Sequence, residues 1–239
     1  MRPLLEVLQL DFSYVADGDR GGLVLEGERF VLPAGTACSL LGSNMSGKTT
    51  FLKMISGHLR GADTVVRVDG EALWPFAPAR ARSLGVAGVH QHDPLFPELS
   101  IWENVKLGRP GGGLGWRGDR EMQQKLREQL SRWSNAQIDD ELRTLSGGPQ
   151  VLVRTLRAVL WGYKVLLLDE PTTGLDPNVR RLFFDLLFST LNRDRAVVFV
   201  SHIAAEHDTL ARGAAQHGMT HEAVRLNSGH MEPAREGVG

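Results

Sequence analysis

The chain has 239 residues, of which 42% are hydrophobic and 23% are charged, a balance that is ordinary for a globular protein with a buried core. The formal charge of −1 provides no excess of positive charge to attract nucleic acid or anionic lipid. The single cysteine, Cys38, excludes an internal disulfide and fits a reducing compartment. Since no apolar run reaches the ~20 residues of a transmembrane helix, we expect a cytoplasmic protein that meets any membrane through a partner.

Apolar runs separated by turn residues predict a mixture of strands and helices. Strands are predicted at residues 4–14, 24–32, 36–41, 65–68, 86–89, 165–168 and 196–200. Helices are predicted at residues 48–55, 121–133 and 149–161. Because several of the strands are apolar on both faces and are separated by helices, we expect a parallel α/β sheet that is covered on both sides.

The stretch between residues 93 and 162 differs from its surroundings because it is mainly helical. It also contains the segment 110–118 (PGGGLGWRG), which is too rich in glycine to pack regularly and is expected to form a mobile loop. We therefore divide the chain into a core at residues 1–92 and 163–232, an inserted helical lobe at 93–162, and a disordered tail at 233–239.

Residues 42–50 (GSNMSGKTT) match the spacing G-x-x-x-x-G-K-[ST] of a phosphate-binding loop. The loop lies between a predicted strand and a predicted helix, where backbone N–H groups and the helix N-terminus can face a polyphosphate. Lys48 would then meet the β- and γ-phosphates, and the Thr49 hydroxyl would ligate Mg²⁺. The alternative is a glycine-rich turn that only caps a helix. The predicted phosphate-binding residues are Gly42, Ser43, Asn44, Met45, Ser46, Gly47, Lys48, Thr49 and Thr50.

The apolar strand at residues 165–168 ends in two acids, Asp169 and Glu170. Ligands bind at the carboxyl ends of the strands in open α/β sheets. We therefore expect Asp169 to hold Mg²⁺, and Glu170 to act as the general base toward an attacking water. The alternative interpretation is an acidic pair that only caps the next helix.

The tetrapeptide LSGG at residues 145–148 precedes this acidic pair, and with it the chain resembles the ATP-binding cassette (ABC) family, whose signature it is. The resemblance covers nearly the whole chain and keeps the motifs in the order of the family. It implies that Gln91 is the Q-loop glutamine, a contact for metal or water, and that Asp176 belongs to the D-loop. It further implies that His202 is the switch histidine, which donates to the γ-phosphate or the water, and that Tyr14 stacks on adenine.

Each of these residues also has an ordinary structural interpretation. Gln91 could be a surface amide in a loop, His202 a hydrogen-bonded residue of the core, and Tyr14 a strand residue that only packs. The order of the motifs along the chain favours the functional interpretation over these alternatives.

The resemblance also implies a fold and an assembly. The fold would be a P-loop NTPase parallel-sheet core with an antiparallel β subdomain and an inserted helical subdomain. In the family two cassettes form a dimer, and each ATP with its Mg²⁺ lies between the phosphate-binding loop of one subunit and the signature of the other. Ser146, Gly147 and Gly148 would open a helix whose N–H groups suit that γ-phosphate.

Two residues depart from the pattern of the family. Met45 stands where the family usually has glycine, which is costly if the local φ is positive. Pro149 replaces the usual glutamine after the signature; it is tolerated if it is the first helical residue, although it removes an N–H donor and a side-chain amide. We expect slowed but retained ATP hydrolysis, since Glu170 and His202 are both present.

The segment at residues 83–109 is similar to the corresponding part of bacterial monosaccharide-importer ATPases. This similarity implies transmembrane permease subunits as partners, a second ATPase subunit that is expected to be an identical copy, and a peripheral position on the cytoplasmic face of the inner or plasma membrane. Residues 94–96 and Trp102 would receive the permease, although Phe96, Ile101 and Trp102 are equally compatible with packing inside the lobe.

Two other classes of function stay open at this point. One is an ABC ATPase that acts in translation or DNA maintenance. Such proteins usually carry tandem cassettes or long coiled-coil insertions, and this sequence shows neither of these and no basic patch. The other is a nucleotide-binding regulator with little turnover, which Met45 and Pro149 make conceivable.

Overall fold

The computed structural model of the chain describes residues 2–13, 23–61, 63–90, 94–109, 119–227 and 229–234. The strands are β1 (Pro3–Ser13), β2 (Leu23–Pro33), β3 (Thr36–Leu41), β4 (Val65–Val68), β5 (Glu71–Ala72), β6 (Val86–His90), β7 (Val165–Asp169), β8 (Ala196–Val200), β9 (Thr220–Asn227) and β10 (His230–Pro233). The α-helices are α1 (Lys48–Ile55), α2 (Pro78–Ser83), α3 (Ile101–Lys106), α4 (Asp119–Leu130), α5 (Gly147–Leu160), α6 (Pro177–Phe188) and α7 (Ala204–Gln216).

The strands form two sheets. One is antiparallel, with the order β2-β1-β4-β5, and the other has the order β10-β9-β3-β8-β7-β6. In the larger sheet the strands from β9 to β6 run parallel, and β10 pairs antiparallel with β9 at one edge. The carboxyl ends of parallel strands lie at the same edge of a sheet, so the loops after β3, β7 and β8 open on one side of the molecule. The predicted parallel core and antiparallel subdomain are confirmed.

Strand β7 shows why the parallel strands are apolar throughout. All of its residues are buried. Val165 and Leu167 pack into the core cluster that also contains side chains of α1 and the antiparallel sheet. Leu166 and Leu168 point to the other face, where they join side chains of α5, α6 and α7. Both faces of the parallel sheet are therefore covered, as the apolar runs predict.

The helices of the inserted lobe surround a separate hydrophobic cluster. Its buried members come mainly from α3, α4 and α5: Ile101, Trp102, Val105, Met122, Leu126, Leu130, Val153 and Leu156. Ile101 and Trp102 are thus lobe core, as the packing alternative holds, whereas Phe96 is 41% exposed. The Asn104 side chain accepts a hydrogen bond from the Phe96 N–H at 2.8 Å and donates to the Phe96 carbonyl at 2.9 Å. These bonds hold the segment that precedes α3 against the lobe.

Several element boundaries differ from the prediction. Helix α5 begins two residues before the predicted start at residue 149, so Pro149 is its third residue and not its first. Because the first four N–H groups of a helix have no partner inside it, proline is tolerated there as well. The predicted tail is paired in the structure as far as Ala234, whose N–H donates to the Ala223 carbonyl at 2.8 Å, since β10 extends the sheet at its edge.

The remaining differences concern segments with weak apolar patterns. Strand β9 was not predicted, because its sequence THEAVRLN mixes charged and apolar residues without a continuous apolar run. The glycine-rich segment 110–118 lies outside the described residues. Within the part of the chain that the structure describes, none of the helices is both long and apolar enough to traverse a lipid bilayer.

Candidate nucleotide-binding site

The loop between β3 and α1 has the backbone conformation that a phosphate-binding loop requires. Gly47, at the N-cap of α1, has φ 103°, a value that favours glycine. A Cβ atom at Gly42 would overlap the Leu226 carbonyl oxygen of β9, so only glycine fits there. Helix α1 has no side-chain cap and no acidic residue in its first turn. Its N-terminus is therefore open to an anion.

Lys48 is folded back onto this loop. Its ammonium group donates to the carbonyl oxygens of Gly42 and Ser43, both at 2.8 Å, and the residue is only 6% exposed. Burial lowers the pKa of Lys48 below its ordinary value, while the nearby carboxylates of Glu170 and Asp169 act in the opposite direction. The two acids after β7 are thus close enough to Lys48 for their charges to act on it.

Glu170 and His202 form a contact at the edge of the same site. His202 Nε2 lies 2.6 Å from Glu170 Oε1, and the Thr173 hydroxyl donates to Glu170 Oε2 at 3.3 Å. Glu170 has φ 49°, an uncommon conformation for a residue with a side chain and one that is frequent at functional sites. Its N–H donates to the Val200 carbonyl at 3.0 Å, which fixes the turn against the end of β8.

The loop and this acid–histidine pair line one open cleft of about 420 Å³. The residues around it are Asn44, Met45, Ser46, Gly47, Lys48, Thr49, Thr50, Glu170 and His202. Asp169 stands beside the cleft at the end of β7, only 8% exposed. The structure therefore brings the predicted phosphate-binding, base and switch residues together, which the helix-capping alternatives do not require.

The signature segment lies at a different cleft of the described chain. Ser146 is the N-cap of α5, its backbone is extended, and its side chain makes no capping hydrogen bond. Gly147 and Gly148 line a cleft of about 280 Å³ together with Thr173 and Gly174. None of the described residues of the signature lines the cleft of Lys48. One chain alone thus does not bring the signature to its own phosphate-binding loop.

The other predicted site residues are Asp176, Tyr14 and Gln91. Asp176 is the N-cap of α6, and its carboxylate accepts hydrogen bonds from the N–H groups of Asn178 and Val179 at 2.9 and 3.2 Å. Its observed contacts are therefore those of a helix cap. Tyr14 and Gln91 lie outside the described residues, and their predicted roles stay predictions.

Of the three residues predicted to hold Mg²⁺, which are Thr49, Gln91 and Asp169, the structure describes Thr49 and Asp169. Thr49 is exposed in the first turn of α1, at the cleft. Within the described ranges there is no group of three or more His, Cys, Asp or Glu side chains that could hold a metal ion. Thr49 and Asp169 are oxygen donors, the kind of ligand that Mg²⁺ takes together with phosphate and water oxygens.

A group of buried polar residues, which the sequence does not predict, lies behind the cleft. Glu206 of α7 is 2% exposed and accepts hydrogen bonds from the hydroxyls of Ser201 and Thr172. A glutamate four residues after the switch histidine looks in sequence like an ordinary acid in the first turn of a helix. No feature of the sequence marks it as buried.

Comparisons with known proteins identify the family of the chain. Residues 25–173 match the family model described as "ABC transporter". The arabinose import ATP-binding protein AraG of Burkholderia pseudomallei (strain 1710b) is 33% identical over 194 residues, which are 81% of this chain and 39% of that protein. The galactofuranose transporter ATP-binding protein YtfR of Escherichia coli (strain K12) is 31% identical over 183 residues, which are 76% of this chain and 37% of that protein. The chain thus spans about two fifths of the length of these relatives.

Solved structures have the same fold. The dimeric post-hydrolysis state of the ATP-binding cassette MJ0796, bound to ADP and Pi, aligns with a TM-score of 0.77 and 21% identity, over 98% of this chain and 100% of that chain. A nucleotide-free ATP-binding cassette from an ABC transporter aligns with a TM-score of 0.76 and 19% identity, over 98% of this chain and 92% of that chain. The predicted ABC ATPase fold is confirmed.

Met45 yields the first prediction, because it has φ 63° and its side chain is fully exposed at 100%. A residue with a Cβ atom costs about 1–2 kcal/mol in this backbone conformation. Glycine avoids this cost, but it loses more conformational entropy on folding, which offsets part of the gain in stability. We expect Met45→Gly to raise the free energy of unfolding by up to about 1 kcal/mol in urea denaturation. Met45→Ala keeps the Cβ atom and should change little. Equal stabilisation by both substitutions would show that the backbone conformation is not the cause.

Proposed function

The chain belongs to the ABC transporter family, and on that premise we propose that it is the subunit that binds and hydrolyses ATP to drive a membrane transporter. The observation that carries the proposal is the cleft in which Lys48, Glu170 and His202 meet at the open N-terminus of α1. An anion-binding helix start, a lysine, a carboxylate and a histidine in one cleft are the groups that phosphoryl transfer to water needs.

The phosphate-binding loop supports a triphosphate as the ligand. The Ser46 hydroxyl is buried without a hydrogen-bond partner among the described residues, although buried hydroxyls normally have one. A bound phosphate oxygen would supply the missing acceptor. The Lys48 ammonium, now held by two loop carbonyls, would move only a short distance to contact the β- and γ-phosphates. Tyr14 would stack on the adenine ring.

The residues after β7 and β8 would carry out the cleavage. Glu170 would accept the proton of the attacking water, and His202 would donate a hydrogen bond to the γ-phosphate or the water. Thr49, Asp169 and Gln91 would hold Mg²⁺, which when bound neutralises part of the charge on the phosphates. In the described chain Glu170 and His202 bind each other, so a nucleotide and its water must enter between them.

We further propose that two copies of the cassette enclose the nucleotides. The signature helix start lines a cleft apart from the phosphate-binding loop of its own chain, and Ser146 and Gly147 are exposed. An exposed helix N-terminus without a side-chain cap suits a phosphate presented by a second subunit. The solved structure of the cassette MJ0796 with ADP and Pi is a dimer, which supports this arrangement.

A permease is the membrane partner that we propose, with a sugar as the transported solute. The printed names of the relatives include arabinose import and galactofuranose transport. A cleft of about 330 Å³ between core and lobe is lined by Pro94, Phe96, Leu107 and Trp161, among others, and it offers apolar surface to a docking segment. The cassette would be cytoplasmic and would sit peripherally on the membrane through this contact.

Removal of the Lys48 charge tests nucleotide binding. We expect Lys48→Ala to weaken the binding of Mg-ATP by about ten- to hundredfold, because a charge-assisted phosphate contact is worth about 1.5–3 kcal/mol. Isothermal titration calorimetry measures the affinity. Lys53→Ala, in the same helix but exposed, removes an equal charge and should bind ATP like the original chain. Unchanged affinity in Lys48→Ala would refute the assignment of the phosphate-binding loop.

Removal of the base tests hydrolysis and dimer formation together. Glu170→Gln keeps the shape of the side chain but accepts a proton poorly, so we expect turnover to fall about 10²–10⁴-fold while an ATP-bound dimer accumulates. Sedimentation in the presence of Mg-ATP measures the dimer. Glu128→Gln in the exposed part of α4 is the control. A chain that hydrolyses ATP rapidly while both it and Glu170→Gln stay monomeric would contradict the shared site.

Co-purification tests the membrane partner. The tagged chain, recovered from detergent-solubilised membranes of its host, should bring down a polytopic membrane protein in a fixed ratio that mass spectrometry identifies. Phe96→Ser should lose this protein, because Phe96 lines the proposed docking cleft. Trp74→Ser, which alters another exposed aromatic residue, should retain it. Recovery of ribosomes or DNA-bound proteins in its place would favour the translation or DNA-maintenance class.

A further inference from the structure

Glu206, the third residue of α7, is a buried acid that lies behind the candidate site. The residue is 2% exposed, and its Oε2 atom accepts hydrogen bonds from the Ser201 hydroxyl at 2.6 Å and the Thr172 hydroxyl at 2.7 Å. A buried carboxylate is costly unless it is hydrogen-bonded and paired with a charge. Its presence in the core therefore needs an explanation.

The two hydroxyls belong to the two segments that carry the acid–histidine pair. Ser201 directly precedes His202 at the end of β8, and Thr172 follows Glu170 by two positions after β7. Glu206 Oε2 therefore connects the two segments on the side away from the cleft. On the side of the cleft, His202 Nε2 lies 2.6 Å from Glu170 Oε1. Glu206 thus connects the two segments beyond the ends of their strands, in addition to the bond from the Glu170 N–H to the Val200 carbonyl.

Arg180 extends the connection to the D-loop. Its Nε atom lies 3.1 Å from Glu206 Oε1 in an ion pair that does not have the geometry of a hydrogen bond, and its Nη2 atom donates to the Leu175 carbonyl at 3.2 Å. Leu175 belongs to the TGLD segment, which precedes α6. The positive charge of Arg180 compensates the buried carboxylate, and the same guanidinium group attaches the D-loop to it.

A second side chain of α7 holds the main chain at Ser201, directly before His202. His207 Nε2 lies 3.0 Å from the Ser201 carbonyl, and His207 Nδ1 lies 2.8 Å from the Ser39 hydroxyl in β3. Because a carbonyl oxygen only accepts, Nε2 carries the hydrogen and, in the neutral ring, Nδ1 accepts from Ser39. Ser201 is thus held by its hydroxyl and by its carbonyl, so α7 determines where the residue after it, His202, is presented.

We propose that Glu206 is a positioning residue for ATP cleavage, which holds His202, Glu170 and the D-loop in one arrangement without touching the nucleotide. The inference rests on the proposed ATPase function, because the pair it positions is the one assigned to the attacking water. Reactions of this kind lose rate when a reacting group moves by about 1 Å. The contact between Glu206 and its two hydroxyl donors controls the spacing of that pair.

The first test is kinetic. In Glu206→Gln the negative charge opposite Arg180 is lost. The amide group also turns an N–H toward either the hydroxyls, which must then accept where they now donate, or Arg180, which cannot accept. Thr172→Val removes one hydroxyl donor and keeps the shape of the side chain. We expect kcat for ATP hydrolysis to fall about 10–100-fold in Glu206→Gln, and less in Thr172→Val, while KM for ATP changes by no more than about twofold. Asp208→Asn, an equivalent change at an exposed position of α7, should leave both constants unchanged.

The second test does not depend on turnover. In nucleotide-free protein, the imidazole ¹H–¹⁵N signals of His202, assigned by their loss in His202→Ala, should shift in Glu206→Gln and in Thr172→Val but not in Asp208→Asn. If the original chain hydrolyses no ATP, the ATPase proposal fails while this spectrum still decides the positioning role. If Glu206→Gln does not fold, Thr172→Val decides it.

Two results would overturn the inference. One is a Glu206→Gln protein with a lowered melting temperature but the original kcat and unshifted His202 signals, since Glu206 would then only stabilise the fold. The other is a rise in KM with kcat unchanged, because Glu206 would then act on nucleotide binding and not on the geometry of cleavage.

Discussion

The parallel pairing of β3, β8 and β7 is the constraint on which the candidate site depends. The register places Cys38 of β3 beside Val198 of β8, and Leu167 of β7 beside the same Val198. With this register all three strands end at the same edge of the sheet. The loop at residues 42–50, the acidic pair and His202 come from segments far apart in sequence, and they meet because each one follows one of these strands. A strand slipped by one residue would exchange the side chains of its two buried faces and remove its functional residue from the edge.

The electrostatics of the site follow from this meeting of strand ends. Lys48 is buried, which disfavours its charged form, and it lies near the two carboxylates that follow β7, which favour it. A triphosphate would add several negative charges at the same place, close to Glu170. Such crowding is tolerable only with compensating donors, and a single chain supplies those of one loop and one helix start. The separation of the two clefts within one chain therefore agrees with a site that two chains complete.

Features that depend on local spacing could be predicted from the sequence. The loop at residues 42–50 and the helix Lys48–Ile55 were predicted correctly, because a glycine at each turn and the apolar runs around them are visible in consecutive residues. The edge strand β10 and its neighbour β9 were missed, since their exposed side chains follow no clear alternation. Glu206 was missed for a different reason: its burial depends on Thr172, Ser201 and Arg180, which only the folded chain brings together. Residues of this kind cannot be found from spacing, because their partners lie in separate segments.

Pro149 has an effect at the start of α5 that goes beyond the loss of one donor. A serine at an N-cap usually turns its hydroxyl inward to accept from the N–H of the second or third helical residue. The third residue of α5 is Pro149, which has no N–H, and the Ser146 side chain makes no such bond. Because of the proline, the Ser146 hydroxyl lacks one of the two N–H donors of α5 from which it could accept a hydrogen bond. Since the Ser146 oxygen makes no capping hydrogen bond with its own helix, its side chain can rotate. It can then form a hydrogen bond with a group that approaches from outside the chain.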